Sequence, residues 1–306
     1  MCYPLGMAAG GGTKAVLAAL FANLAIAIAK FVGFAVTRSA SMLAEGVHSC
    51  ADTGNQALLL MGGRLAKRDP TPRHPFGYGR ERYFWSFVVS IILFTLGALF
   101  AINEGIEKVR HPHELESLWV AIGILIFGIV VESLSFRTAI VESNKVRGKL
   151  SWGTFIRRSR TPELPVVLLE DLGAMFGLVF ALIAVVLAEV TGEPRWDGVG
   201  TLVIGVLLGI IAIVLAIEMK SLLIGESATE EDRARLRAAL DDSPEIDRVV
   251  DMRTQHLGPE ELLVAAEVDF ADHLSGDQMP AAIAAVEARL RAAVPTATNV
   301  YLEPSR

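Results

Sequence analysis

At 306 residues, 52% of them hydrophobic and with a mean hydropathy of +0.46, the chain is too apolar for a typical soluble enzyme and long enough for several membrane spans plus one small domain. Its net charge of -6 hides basic loops and an acidic C-terminal portion, which argues against nucleic acid as a partner. Cys2 and Cys50 are the only cysteines and build neither a disulfide framework nor a thiolate metal cluster.

The N-terminal stretch lacks the charged region, short apolar core and cleavage site of a removable signal, and its first apolar run already has the length of a span. Apolar runs of about 20 residues, enough to cross a bilayer core of about 30 Å, fall at 14–36, 41–63, 84–106, 117–141, 163–188 and 199–222, predicting six transmembrane helices. Arg64, Lys67, Arg68, Arg73, Arg80 and Arg82 follow the second run; Lys145, Arg147, Lys149, Arg157, Arg158 and Arg160 follow the fourth. The positive-inside rule places both loops, and with them both termini, in the cytoplasm. His111 and His113 form an HxH pair beside Pro112 in an opposite loop with no other ligand near, and read as a solvated turn. Gly173-x-x-x-Gly177 and Gly205-x-x-x-Gly209 permit close helix contact.

From Glu226 the membrane composition ends. Thr229 and Asp232 resemble a helix cap, opening a helix through Leu240. Ile246–Thr254 and Leu262–Phe270 are strand-like around a Gly258-Pro259 turn, Asp277–Ala293 is an Ala-rich helix, and Asn299–Glu303 is a last short strand. The order αββαβ suggests a small two-layer sheet with helices on one face.

The second run carries Glu45, His48 and Asp52 at i, i+3 and i+7, one helical face. Ionisable groups within a span are expensive, so the stripe faces a partner, a water-filled cavity or a metal; the competing reading is that His48 and Asp52 hydrogen-bond to tie helices together. One imidazole beside oxygen ligands suits Zn, Mn, Fe or Co. Counting rise per residue places Asn23 of the first span, Glu132 of the fourth and Glu170 and Asp171 of the fifth in the same layer near the midplane, where an alternating-access carrier binds its ion. Asn23 is as suited to a backbone bond, and Glu132 either pairs with Lys30 or Arg137 or takes part in proton or metal passage. Glu170 and Asp171 are adjacent, so their side chains diverge by about 100°, with Asp171 and Asp52 together forming a carboxylate clamp. No nucleophile paired with a base, HExxH helix or phosphate loop is present, which argues against an enzyme.

Three stretches carry a family resemblance: the second-helix run from Ser39 through Glu45, His48 and Asp52; His74-Pro-Phe-Gly-Tyr78-Gly-Arg-Glu81 in the following loop; and Leu168-Leu169-Glu170-Asp171-Leu-Gly-Ala-Met-Phe-Gly177. With the run from His256 to Ala266, they resemble the cation diffusion facilitator family of divalent-metal transporters over essentially the whole chain. The resemblance implies a six-helix transporter domain (1–224), a ferredoxin-like cytoplasmic domain (225–306), a homodimer and exchange of a divalent cation for protons, in a bacterial inner membrane. It implies no cofactor, only the transported cation. His48, Asp52 and Asp171 match the family's metal positions, while Val167 stands where zinc carriers commonly have His; Glu170, one turn on, is a candidate to replace that ligand. Zinc is the expected cargo, with Mn, Fe or Co as alternatives; a membrane-anchored metal sensor is the reading from another class. In the loop, His74 matches a metal position but Tyr78 replaces a second His. Val250 and Tyr301 replace metal-binding His in the cytoplasmic domain, and His256 and His273 read as surface or loop residues.

Overall fold

The computed structural model describes residues 6–37, 40–112 and 118–305, apart from the side chains of 6–11, 37, 40–45, 47 and 48. Two compact units are present: residues 1–64 with 84–220, and residues 65–83 with 221–306.

The first unit is helical. It contains α1 (Gly6–Thr37), α2 (Ala40–Leu65), α3 (Glu81–Ile92), α4 (Phe100–Arg110), α5 (Leu118–Arg147), α6 (Trp152–Arg158), α7 (Glu163–Thr191) and α8 (Arg195–Ile224), the ends of α2, α3 and α8 reaching into the second unit. Among the described residues, five segments are long and apolar enough to cross a membrane: Gly12–Val36, Glu81–Arg110, Leu118–Arg147, Glu163–Thr191 and Arg195–Ile224. The chain is therefore a multi-pass membrane protein. The second predicted span corresponds to α2, 26 residues long but interrupted by polar groups.

Residues of α1, α5 and α7 pack pairwise. In α5 the buried positions Leu125, Gly128, Glu132, Ser135, Ala139 and Glu142 alternate at spacings of three and four, a stripe that faces the bundle interior. The corresponding stripe of α1 is built mostly from alanine, Ala15, Ala19, Ala22 and Ala27, with Asn23 and Lys30 in the same buried set, so the neighbouring backbones approach closely. Helix α7 tolerates Pro165 because the first turn has no intrahelical acceptor for its missing N–H. It ends at Gly192, whose φ of 67° needs no Cβ.

Two features depart from the expected pattern. Between α3 and α4, Leu93–Leu99 winds as a π-helix, and Thr95 Oγ1 donates back to the carbonyls of Ile91 (2.9 Å) and Ile92 (3.3 Å). The basic loop after α5 contains the short helix α6, capped by Ser151 Oγ, which accepts from Thr154 N.

The second unit contains α9 (Glu230–Asp241), β1 (Ile246–Gly258), β2 (Glu261–Phe270), α10 (Met279–Ala293) and β3 (Asn299–Pro304), in the expected order αββαβ. Thr229 Oγ1 accepts from Asp232 N at 3.1 Å, which is the anticipated cap. β2 is central, antiparallel to β1 (Val249 opposite Val268) and parallel to β3 (Val264 opposite Val300), with α10 as the crossover that a parallel pair requires. Leu262, Val264, Ala266 and Val268 alternate onto one face of β2 and share a core with Leu236 and Leu240 of α9 and Val286 and Leu290 of α10. The loop 65–83 packs on the β1–β2 hairpin, where a Cβ on Gly79 would meet the Gly258 Cα at 3.0 Å.

The expectation that His256 is a surface or loop residue is corrected. β1 continues past Thr254 to Gly258, so His256 pairs with Leu262 in the sheet and is 4% exposed. His273 is exposed, as anticipated.

Candidate functional site

The polar groups of the first unit meet. Asn23 and Lys30 of α1, Ser49 and Asp52 of α2, Glu132 of α5, and Glu170 and Asp171 of α7 line one cavity of about 200 Å³. The π-helical segment and α4 add Leu93, Phe100, Glu104 and Lys108, and α8 adds Asp197 and Thr201. Six carboxyls on five helices thus line a single space, and four of them, Asp52, Glu132, Glu170 and Asp171, are those that rise counting put in one layer.

Each carboxyl reaches the cavity through a different local cause. Asp171 is 1% exposed and accepts a 2.7 Å hydrogen bond from Ser135 Oγ, one helical turn after Glu132 on the buried stripe of α5. Glu132, also 1% exposed, stands on the same buried stripe of α5 and lines the same cavity as Asp171. Asp171, a second acid close to Glu132, was not among its expected partners.

Glu170 points the other way, as its adjacency to Asp171 demands. Its Oε1 accepts from Asn55 Nδ2 at 3.2 Å and its Oε2 from Gln56 Nε2 at 2.7 Å. Both donors lie on α2, one turn after Asp52. On the α1 side, Lys30 Nζ donates to Ser49 Oγ at 3.0 Å. At another part of the cavity wall, Lys108 bridges Asp197 (3.0 Å) and Glu104 (3.5 Å), joining α4 to α8.

Among the described residues, no group of three or more His, Cys, Asp and Glu side chains is close enough to hold one metal ion. The reason is visible in the bonds: Glu170 is turned to the amides of α2 and Asp171 to Ser135. The side chains of Glu45 and His48 lie outside the described residues, as does His113. Val167 is fully buried and is not part of the cavity lining. His74 lies in the second unit, exposed, its backbone paired with Thr71 and its ring 4.8 Å from that of Tyr78. His111 is exposed at the end of α4, 3.8 Å from Glu107.

Sequence reasoning missed Asn55, Gln56 and Ser135. Their signal was present: uncharged hydrogen-bonding groups at i+3 or i+4 from an acid that was identified, Asp52 or Glu132. It also missed the cavity role of Glu104, Lys108 and Asp197, of which only the i, i+4 spacing of Glu104 and Lys108 was legible.

A multi-helix membrane bundle whose buried carboxyls from several helices surround one cavity is the architecture of an ion carrier. Residues 16–224 match the cation efflux transmembrane domain, and the chain belongs to that family of transporters, the cation diffusion facilitators. It is similar to the proton-coupled zinc antiporter SLC30A9, mitochondrial, of Xenopus laevis, with 36% identity over 263 residues, 85% of this chain and 47% of that protein. It is 32% identical to metal tolerance protein C4 of Arabidopsis thaliana over 84% of this chain and 57% of that protein. The magnetosome protein MamB of Paramagnetospirillum magneticum is 22% identical over 93% of this chain and 90% of that protein. The chain spans about half the length of the first two of these relatives.

Proposed function

We propose that this chain carries a divalent cation, with zinc as the first cargo, across a membrane in exchange for protons by alternating access. The observation that carries the reading is the convergence of Asp52, Glu132, Glu170 and Asp171 on one cavity. His48, four residues before Asp52 on α2, joins Asp52 and Asp171 as the metal-holding set, and Glu170 adds negative charge beside it. Two carboxylates and an imidazole supply the charge and the donor atoms a dication needs once its water shell is removed.

Proton exchange follows from competition. A carboxylate or imidazole holds either a proton or the metal, so proton entry from one side releases the cation, and arrival of the cation releases protons. Glu132, which lines the same cavity as Asp171, is placed to take the proton that Asp171 gives up. The name of the zinc antiporter relative supports both cargo and coupling. The carboxylate-rich set keeps Mn, Fe and Co as alternatives.

The reading includes α2 as a sixth span, with residues 1–224 as the transport domain. It takes residues 225–306 as a ferredoxin-like domain through which two copies dimerise, in a bacterial inner membrane with both termini cytoplasmic. The test is reconstitution of the full chain in vesicles holding a zinc dye and a pH dye. Zinc accumulation matched by opposite proton movement is expected; binding without accumulation would instead identify a membrane-anchored sensor.

A further inference from the structure

We propose that Asn55 and Gln56 are a selectivity clamp that holds Glu170 away from the transported cation, so that the metal meets one carboxylate from α7 rather than two. The inference rests on the transport reading above and goes beyond it. Glu170 belongs to the same cavity as Asp52 and Asp171, yet both of its oxygens accept from amides of α2, at 3.2 Å and 2.7 Å. Both oxygens of Glu170 are thus engaged, and all three partners are buried, at 2%, 0% and 5% exposure.

The amides have no other visible employment. Asn55 Oδ1 and Gln56 Oε1 are buried with no hydrogen-bond partner among the described residues. A buried amide oxygen left unsatisfied is destabilising, and a scaffold role alone would be served by an apolar pair of similar volume. The orphaned oxygens mark side chains whose placement is dictated by the carboxylate opposite. Their spacing does the same, because Asn55 and Gln56 follow Asp52 by three and four residues and so sit on the face of α2 that bears the proposed ligand.

The consequence concerns metal preference. With Glu170 restrained, the set consists of one imidazole and two carboxylates, the low coordination number that zinc accepts. If the clamp is removed, Glu170 gains rotamer freedom beside the cavity and can add a hard oxygen donor. Mn²⁺, which favours oxygen ligands and a larger coordination number, benefits more from that addition than Zn²⁺ does. Asn55 and Gln56 are positioning residues: they act on the cation only through Glu170.

The experiment uses the full chain in proteoliposomes, with initial uptake of Zn²⁺ and of Mn²⁺ measured for the unaltered protein, Gln56→Met, Asn55→Leu and Gln56→Glu. Loss of one hydrogen bond to Glu170 should raise the Mn²⁺/Zn²⁺ rate ratio about tenfold. Gln56→Glu should shift the ratio in the same direction by repelling Glu170. Adding Glu170→Gln to each variant should return the ratio to that of Glu170→Gln alone, which a general loosening of the bundle would not do. An unchanged ratio in variants that still transport zinc overturns the clamp, and so does a raised ratio that survives Glu170→Gln. Should Gln56→Met fail to fold, Asn55→Leu and Gln56→Glu decide the matter by the same ratio. If the unaltered chain moves neither metal, the transport reading falls and the clamp falls with it.

Discussion

Ser135 Oγ donates to Asp171 Oδ2 across 2.7 Å, so the acid of α7 that we propose as a metal ligand is itself oriented by α5. A ligand carboxylate fixed by a neighbouring hydroxyl does not have to be ordered when the metal arrives. Ser135→Ala should therefore weaken metal affinity by about tenfold or more, the usual cost of removing a group that orients a ligand. In vesicle uptake this reads as a raised KM with a smaller change in the maximal rate. A Ser135→Ala protein with unaltered KM for zinc would show that Asp171 does not need the hydroxyl to meet the cation.

Asp52→Asn and Asp171→Asn keep the shape of the cavity wall and remove a charge. A buried dication deprived of one partner loses about 3–5 kcal/mol, equivalent to more than about a hundredfold in binding, so each variant should fall to background uptake. Glu170→Gln should reduce transport only partly, because its carboxylate is directed at Asn55 and Gln56 rather than at Asp171. The reverse ranking, with Asp171→Asn active and Glu170→Gln dead, would mean that Glu170 is the α7 ligand.

The polar layer was legible in the sequence because charged residues inside apolar runs have few explanations other than a shared interior. Helical rise was enough to place Asn23, Asp52, Glu132, Glu170 and Asp171 together. Asn55 and Gln56 escaped notice because an amide interrupts an apolar run without the cost of a charge. The π-helix at Leu93–Leu99 was invisible for another reason: Leu-Phe-Thr-Leu-Gly-Ala-Leu is equally compatible with i+4 and i+5 bonding, and only packing selects between them. His256 was misjudged because the hairpin turn is tighter than expected, two residues between Gly258 and Glu261, which draws the end of β1 into the core.

Gly205 and Gly123 make opposite predictions for the same substitution. A Cβ on Gly205 would stand 2.8 Å from the Ile102 amide nitrogen and 3.2 Å from the Ala101 carbonyl carbon, backbone that cannot rotate aside. Gly105 and Gly198 make the same kind of approach, to the amide nitrogens of Leu202 and Val109, each at 2.8 Å, so α4 and α8 touch along a row of glycines. Gly205→Ala should cost about 1–3 kcal/mol by overpacking. Gly123, with nothing within 4 Å of its would-be Cβ, should gain up to about 1 kcal/mol of helix propensity as alanine. Thermal midpoints of the two detergent-solubilised full-length variants, measured against the unaltered chain, should move in opposite directions.

Arg289 of α10 makes a two-pronged contact with the carboxylate of Glu245, and this hydrogen bonding is the main reason that the Glu245 pKa lies below its ordinary value. Arg248 does the same for Asp269, with help from Ser305. A carboxylate whose folded pKa is depressed binds protons more readily when unfolded, so its stabilisation is complete above the unfolded value, about pH 4, and is lost as pH falls through the folded one. Hydrogen exchange of the α10 and β1 amides in the full chain should therefore be slow and nearly constant near neutrality and should accelerate, relative to the intrinsic rate, as the pH drops below about 4. Glu245→Gln should make exchange in α10 faster at neutral pH and weaken its acid dependence, leaving the contribution of Asp269. Both carboxylates are substantially solvated, so salt should reduce the effect. If Glu245→Gln leaves neutral-pH exchange in α10 unaltered, the Arg289 contact does not stabilise the folded sheet domain.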